Sequence, residues 1–156
     1  MSVQHYMDIA IEEAIKTKDT NDVPVGAIIV KNNEIIAKAH NKIQALNNPL
    51  YHAEIIAIHT AINILKTKYL TDCEIYTTLE PCVMCAGAIA LARPRRIYIG
   101  AEDGKSGACG SVINVIQDKR FNHNCEVYFG INADKCKSLL VDFFQSIRKE
   151  KHIGSI

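Results

Sequence analysis

This chain of 156 residues has no excess of either charge: 18 Lys and Arg stand against 17 Asp and Glu, for a net charge of +1. A protein that grips nucleic acid through bulk charge is far more basic, so any polyanion must be met by local patches or by a shaped pocket. No apolar run is long enough to span a bilayer. The stretch from Met1 to Lys18 carries Asp8, Glu12 and Glu13 and no continuous apolar segment. That is the pattern of neither a secretory signal nor a transit peptide. Repeats, low-complexity tracts and linkers are missing too, and composition does not break along the chain. One domain over residues 1–156, with a substantial core, is expected.

What is present is ordinary in bulk: 48% apolar and 22% charged residues, the balance of a soluble globular protein. Six cysteines occur, at 73, 82, 85, 109, 125 and 136, and only Cys82 and Cys85 have tight ligand spacing. With no export signal the thiols are expected to be reduced, in the cytoplasm or an equivalent compartment. The other four read as small buried hydrophobes.

Met7, Ala10, Ile11, Ala14 and Ile15 recur at helical spacing, which predicts an amphipathic helix over 2–17. Residues 25–30 and 34–39 read as strands joined through Lys31-Asn32-Asn33, a hairpin. A polar loop from Asn41 to Tyr51 leads to a helix over 52–65. A strand over 73–79, a small-residue helix over 82–91 and a strand over 96–100 follow. Residues 100–110 hold four glycines and form a loop. A short strand near 125–129 and a helix over 133–149 complete the chain. Strands alternating with helices after an initial hairpin imply an α/β layered sheet with helices on both faces.

The chemistry is concentrated in His52-Ala53-Glu54 and, after 26 intervening residues, Pro81-Cys82-Val83-Met84-Cys85. His52, Cys82 and Cys85 are zinc-type ligands, and three protein ligands leave the fourth tetrahedral position open for water. Pro81 suits the first turn of a helix, because its missing N–H costs nothing there. Cys82 then falls at or beside a helix N-terminus, where unpaired N–H groups favour thiolates. Glu54 lies roughly 200° around a helix from His52, so it has no need to ligate. From the first turn it can reach a water beside the metal and move its proton. Zinc would make hydroxide available near neutral pH for attack on an amidine-like ring carbon with loss of ammonia.

Two blander readings compete. A closed structural site needs a fourth ligand, for which His40, His59, Cys73 and Cys109 are candidates. A redox pair would have no use for the His-x-Glu half and would normally lack the preceding proline. The catalytic reading accounts for every part of the motif.

The H-x-E…P-C-x-x-C arrangement is the one described for zinc-dependent nucleobase deaminases. Beyond it, the chain resembles the bacterial-type tRNA-specific adenosine deaminases of the cytidine and deoxycytidylate deaminase superfamily along nearly its whole length. The matching stretches are Val23-Pro24-Val25-Gly26-Ala27, Asn41, His52-Ala53-Glu54-Ile55 and Thr78 to Ala88 around the cysteines. Gly100-Ala101, Asp103, Lys105, Gly107, Phe121-Asn122-His123 and Asp142-Phe143-Phe144 extend the likeness.

This resemblance implies a three-layer cytidine-deaminase-like fold around a mixed five-stranded sheet, a homodimer, and one zinc ion per subunit. It implies conversion of the wobble adenosine of a tRNA anticodon stem-loop to inosine, with no role for DNA or a membrane. Carried over by position, Asn41 would bind the flipped base. Val23, Pro24, Ala53, Leu79 and Glu80 would line its pocket. Asp103, Lys105, Phe144 and Arg148 would lie near the anticodon backbone. On their own, Asn41 and Asp103 also read as turn formers. Phe143 and Phe144 read as helix-face residues, at least one of them in the core.

The chain departs from that family at Asn48-Pro49-Leu50-Tyr51, where Asp-Pro-Thr-Ala is common; two bulky apolar groups are therefore expected beside the metal. Ile147 stands where relatives often have Arg, and Cys109 where they often have Ala. A deaminase of a free base or nucleoside of the guanine or cytosine type, and a non-catalytic zinc-stabilised RNA-binding module, are the alternative functions. Glu54 argues against the second of these.

Overall fold

The computed structural model describes residues 1–153. Five strands, β1 (Gly26–Lys31), β2 (Glu34–His40), β3 (Cys73–Leu79), β4 (Arg96–Ala101) and β5 (Glu126–Tyr128), form one sheet in the order β2-β1-β3-β4-β5. β1 runs antiparallel to β2 and β3, while β3, β4 and β5 are parallel, so the sheet is mixed. Lys31 pairs with Glu34 across a two-residue turn in which Asn32 and Asn33 both have positive φ. Asparagine tolerates that conformation, and the tight turn it permits matches the strand twist.

Four α-helices cover the sheet: α1 (Val3–Ile15), α2 (Ala53–Leu65), α3 (Val83–Ala92) and α4 (Ala133–Ile153). On one face Ala53, Ala57 and Ala61 of α2 and Ala86 and Ile89 of α3 belong to a core with Ala27, Ile29, Ile75, Ile97 and Ile99. On the other, Tyr6, Met7 and Ala10 of α1 and Cys136 of α4 pack with Ile28, Val30, Tyr76 and Ala101. Successive strand residues point to opposite faces, and both faces are covered, which is why β1 reads as an unbroken apolar run. Gly26 allows α1 to lie close on β1, since a Cβ there would run into the Ala10 carbonyl. Cys73, Cys109, Cys125 and Cys136 are all buried free thiols.

Two helices end differently from the sequence reading. α1 is capped by Ser2, whose hydroxyl accepts from the His5 N–H at 3.1 Å, but it stops at Ile15 rather than 17. Lys16–Thr20 tightens into a 3-10 turn in which the Thr17 hydroxyl donates to the Ala14 carbonyl at 2.8 Å. α4 runs four residues past Lys149. Its contacts with the core end at Leu139 and Leu140, so Phe143 is only half-buried and Phe144 is exposed. Neither is a core residue, contrary to expectation, because the helix has outrun the surface it packs on. Among the described residues, no helix is long and apolar enough to cross a membrane.

Candidate active site

The site is assembled where two helices begin. His52 is the N-cap of α2 and Cys82 the N-cap of α3; both are in extended conformation, and neither side chain caps its own helix. They turn to each other instead, with Cys82 Sγ 3.7 Å from His52 Nδ1. Cys85, a turn further along α3, is fully buried. One ligand atom each from His52, Cys82 and Cys85 lie within 4.8 Å of one another. Tetrahedral zinc with Zn–S near 2.3 Å and Zn–N near 2.0 Å would place such atoms about 3.6 Å apart, so the donor set fits that ion.

No fourth protein ligand joins the group among the described residues. Of the candidates, the His40 ring is engaged by Glu13 at 3.1 Å, while the His59 ring faces Asn63 on the surface at 3.2 Å. Cys73 and Cys109 are buried elsewhere in the core. The arrangement therefore keeps a position open, as a catalytic site does.

Electrostatics favour the anionic ligand. Hydrogen bonding, first from Cys85 and then from His52, draws the Cys82 thiol down to about 3. The same contact with Cys82, together with burial, pushes Cys85 upward, and hydrogen bonding to Cys82 raises His52. A divalent cation would displace the protons these groups share, so metal binding is coupled to proton release.

Glu54 is buried, in the first turn of α2. Its Oε2 accepts from Cys85 Sγ at 3.3 Å and its Oε1 from the Thr77 hydroxyl at 3.0 Å. Burial is the largest influence on its carboxyl and holds it above the ordinary carboxylate range, despite those hydrogen bonds. A carboxyl so raised, next to a ligand, is suited to taking and returning protons.

Above these groups lies a cleft of about 520 Å³. Of the residues expected at the substrate, Val23, Asn41, Leu79, Glu80, Asp103, Lys105 and Phe144 line it together with His52, Glu54 and Cys82. Pro24 and Ala53 are buried behind the wall, and Arg148 stands exposed on α4 outside the lining. Leu50 and Tyr51 are exposed on the surface and do not line the cleft, so they do not crowd the metal group as expected. Sequence reasoning missed Ile43, Glu102 and Leu140, whose contribution depends on tertiary placement and leaves no motif.

Buried polar groups fix the walls. Asn41 donates through Nδ2 to the Val23 carbonyl at 3.0 Å and accepts through Oδ1 from the Ala53 N–H at 2.8 Å. It thus ties the entry of β1 to the start of α2. Asp22 is buried, and its carboxylate accepts from the N–H groups of Gln44 (2.7 Å) and Ala45 (3.2 Å). That holds the turn beside Ile43 against residues 20–25. Asp103 accepts from the N–H groups of Lys105 (3.0 Å) and Ser106 (3.1 Å), which folds the loop after β4 over the cleft.

A three-layer sandwich in which the starts of two helices bring together three side chains able to hold a metal, with a position left open and a buried carboxylate beside it, has the make-up of a hydrolytic deaminase, and a MafB19-like deaminase model matches residues 1–148. The chain belongs to the tRNA-specific adenosine deaminase family. The tRNA-specific adenosine deaminase of Bacillus subtilis is 43% identical over 146 residues, covering 94% of this chain and 91% of the relative. A solved structure from a study of A-to-I editing by tRNA:A34 deaminases at the wobble position superposes with a TM-score of 0.83 at 38% identity. That match covers 87% of this chain and 99% of the other. A Bacillus subtilis guanine deaminase gives a TM-score of 0.62 at 38% identity over 65% of this chain and 66% of its own.

Proposed function

We propose that this protein hydrolyses the exocyclic amine of the wobble adenosine in a tRNA anticodon, consuming water and releasing inosine and ammonia. The observation that carries the reading is Glu54 against the His52, Cys82 and Cys85 group at the floor of an open cleft. His52, Cys82 and Cys85 would hold one zinc ion per subunit. Zinc, when bound, lowers the pKa of a water so that hydroxide is available near pH 7.

The chain's own residues do the rest. Glu54 accepts one proton of the attacking water and passes it to a nitrogen of the purine ring; it then takes the remaining proton from the hydroxyl added to the ring carbon and gives it to the amine, which leaves as ammonia. Thr77 holds the carboxyl in place from behind. Asn41, Val23 and Leu79 form the pocket for a base flipped out of its stack. Asp103, Lys105 and Phe144 stand at its mouth, where neighbouring nucleotides would lie. An anticodon loop suits the site because its bases are already partly unstacked, which lowers the cost of extrusion. DNA is not the expected substrate, and the cytoplasm is where such a substrate is met.

A second subunit has a suitable surface. Ile55 and Ile62 of α2 and Val83, Met84, Ala88 and Leu91 of α3 line an apolar groove of about 920 Å³. Val83 and Leu91 are among the most exposed large apolar side chains of the chain. Grooves of this character are covered in assemblies, and a homodimer formed there would set the partner beside the start of α3.

The test is inosine formation by zinc-loaded protein on an anticodon stem-loop with adenosine at the wobble position. Free adenosine, guanine, cytosine and cytidine serve as competing substrates. Inosine at that position alone is the expected outcome; turnover of a free base or nucleoside with inert RNA would overturn the substrate assignment and leave the metal chemistry standing.

A further inference from the structure

We propose that Glu80 is a positioning residue: its carboxylate clamps the loop between Ala101 and Ser111, the wall of the cleft that meets the RNA, without bonding to substrate itself. The inference rests on the substrate reading above for its consequence, and on the following contacts for its physical basis.

Glu80 is 2% exposed even though it borders the cleft. Its Oε1 accepts from the Asp103 N–H at 3.1 Å and from the Ser111 hydroxyl. Its Oε2 accepts from the N–H groups of Cys109 at 3.0 Å and Ser111 at 3.1 Å. An ionised carboxylate has about four acceptor sites, and all four are occupied from within the chain. Nothing is left for a base or a ribose, so Glu80 acts through the loop.

The loop is built around this carboxylate. A Cβ at Gly107 would collide with the Glu80 carboxylate and the Asp103 carbonyl, so the residue there must be glycine. The backbone adds two more ties, Glu80 N–H to the Ala101 carbonyl and Ala108 N–H to the Pro81 carbonyl, both 2.9 Å. The segment between the anchors, Glu102 to Ser106, is the part that lines the cleft. Cys82 lies two residues beyond Glu80, so the same short stretch of chain sets the register of the loop and of the metal group. Burial of a charge is tolerated because every lone pair is bonded.

The experiment compares wild type, Glu80→Gln and Ser111→Ala in zinc-loaded form. It reads zinc content, kcat and KM on the stem-loop, and amide exchange at Cys109 and Ser111. A glutamine turns an NH2 toward N–H donors, so Glu80→Gln should raise KM about tenfold or more through a displaced wall, with kcat changed much less. Ser111 does not line the cleft. Removing its hydroxyl takes one bond from the clamp and should raise KM between about two- and tenfold. Both variants should keep zinc and show faster exchange at Cys109 and Ser111. If Glu80→Gln does not fold, Ser111→Ala decides the matter. Wild-type KM and wild-type exchange in Ser111→Ala, or a loss of kcat at constant KM in Glu80→Gln, would overturn the proposal. Should wild type be inert on the stem-loop, the substrate reading fails alone, and amide exchange still confirms or refutes the clamp.

Discussion

Thr77 Oγ1 lies 3.0 Å from Glu54 Oε1 and 3.0 Å from the Leu79 carbonyl oxygen, yet a hydroxyl has one proton to donate. With Glu54 ionised, the proton points to the carboxylate. With Glu54 protonated, the carboxyl can donate to Thr77 while the hydroxyl turns to Leu79. The residue is bonded in both states of the shuttle and can follow the proton. Thr77→Val keeps the shape and removes both bonds; kcat should fall about tenfold with KM little moved. Single-turnover rates on the stem-loop would show this, and an unchanged rate would remove Thr77 from the proton path.

Glu54 itself is separable from the metal. Its oxygens bond to Thr77 and Cys85, and it is not one of the three ligands. Glu54→Gln, which preserves volume, should retain one zinc per subunit and lose about 10²- to 10⁴-fold in kcat, the usual worth of general acid–base catalysis. Metal analysis beside the turnover assay checks both halves. Substantial activity in this variant would refute the shuttle.

Glu13 gives a handle on acid stability. It is buried on α1, accepting from Lys16 Nζ at 2.7 Å and facing His40 Nδ1 at 3.1 Å. Burial alone would raise its carboxyl, but the hydrogen bonds and charges of Lys16 and His40 together outweigh it and leave the group below its usual value. A depressed folded value means the stabilisation is present above the unfolded value, near pH 4.3, and is lost as pH falls through the folded one. Glu13→Gln should cost about 1–3 kcal/mol at pH 7. The gap to wild type should narrow on acidification, read from urea midpoints at several pH values. A gap independent of pH would contradict the assignment.

Leu91 is 77% exposed on α3 and borders the apolar groove, outside the core. Leu91→Glu should therefore leave the fold intact and replace the proposed dimer by monomer in light scattering at micromolar concentrations. A wild-type chain that is already monomeric there would assign the groove no role in self-association.

The parts of this molecule that follow from local rules were legible in its residues. Strand and helix positions came from periodicity, and the His52, Cys82 and Cys85 group from residue types and spacing that match the H-x-E…P-C-x-x-C pattern, because the ligands sit at or near the starts of two helices. The end of α1 was misplaced by two residues because apolar spacing carries no information about a 3-10 continuation. The exposure of Phe144 was missed because an amphipathic face does not reveal where its partner surface stops. Asp22 and Glu80 show the deepest limit. A carboxylate that gathers the N–H groups of Gln44, or of Cys109 and Ser111, bridges stretches far apart in the chain. No local pattern marks such a bond before the fold exists.

The three candidate ligands and Glu54 all fall within residues 52–85, while most of the cleft wall, Leu79 and Glu80 excepted, is drawn from residues 23–43, residues 102–106 and the last helix. Apart from the stretch Leu79–Cys82, which serves both, reactor and selector are thus written in different parts of the gene. Mutations in the flanking stretches can reshape what enters without touching what happens inside. A scaffold divided in this way is one on which evolution, or a directed library confined to those flanks, can exchange substrates while inheriting the chemistry unchanged.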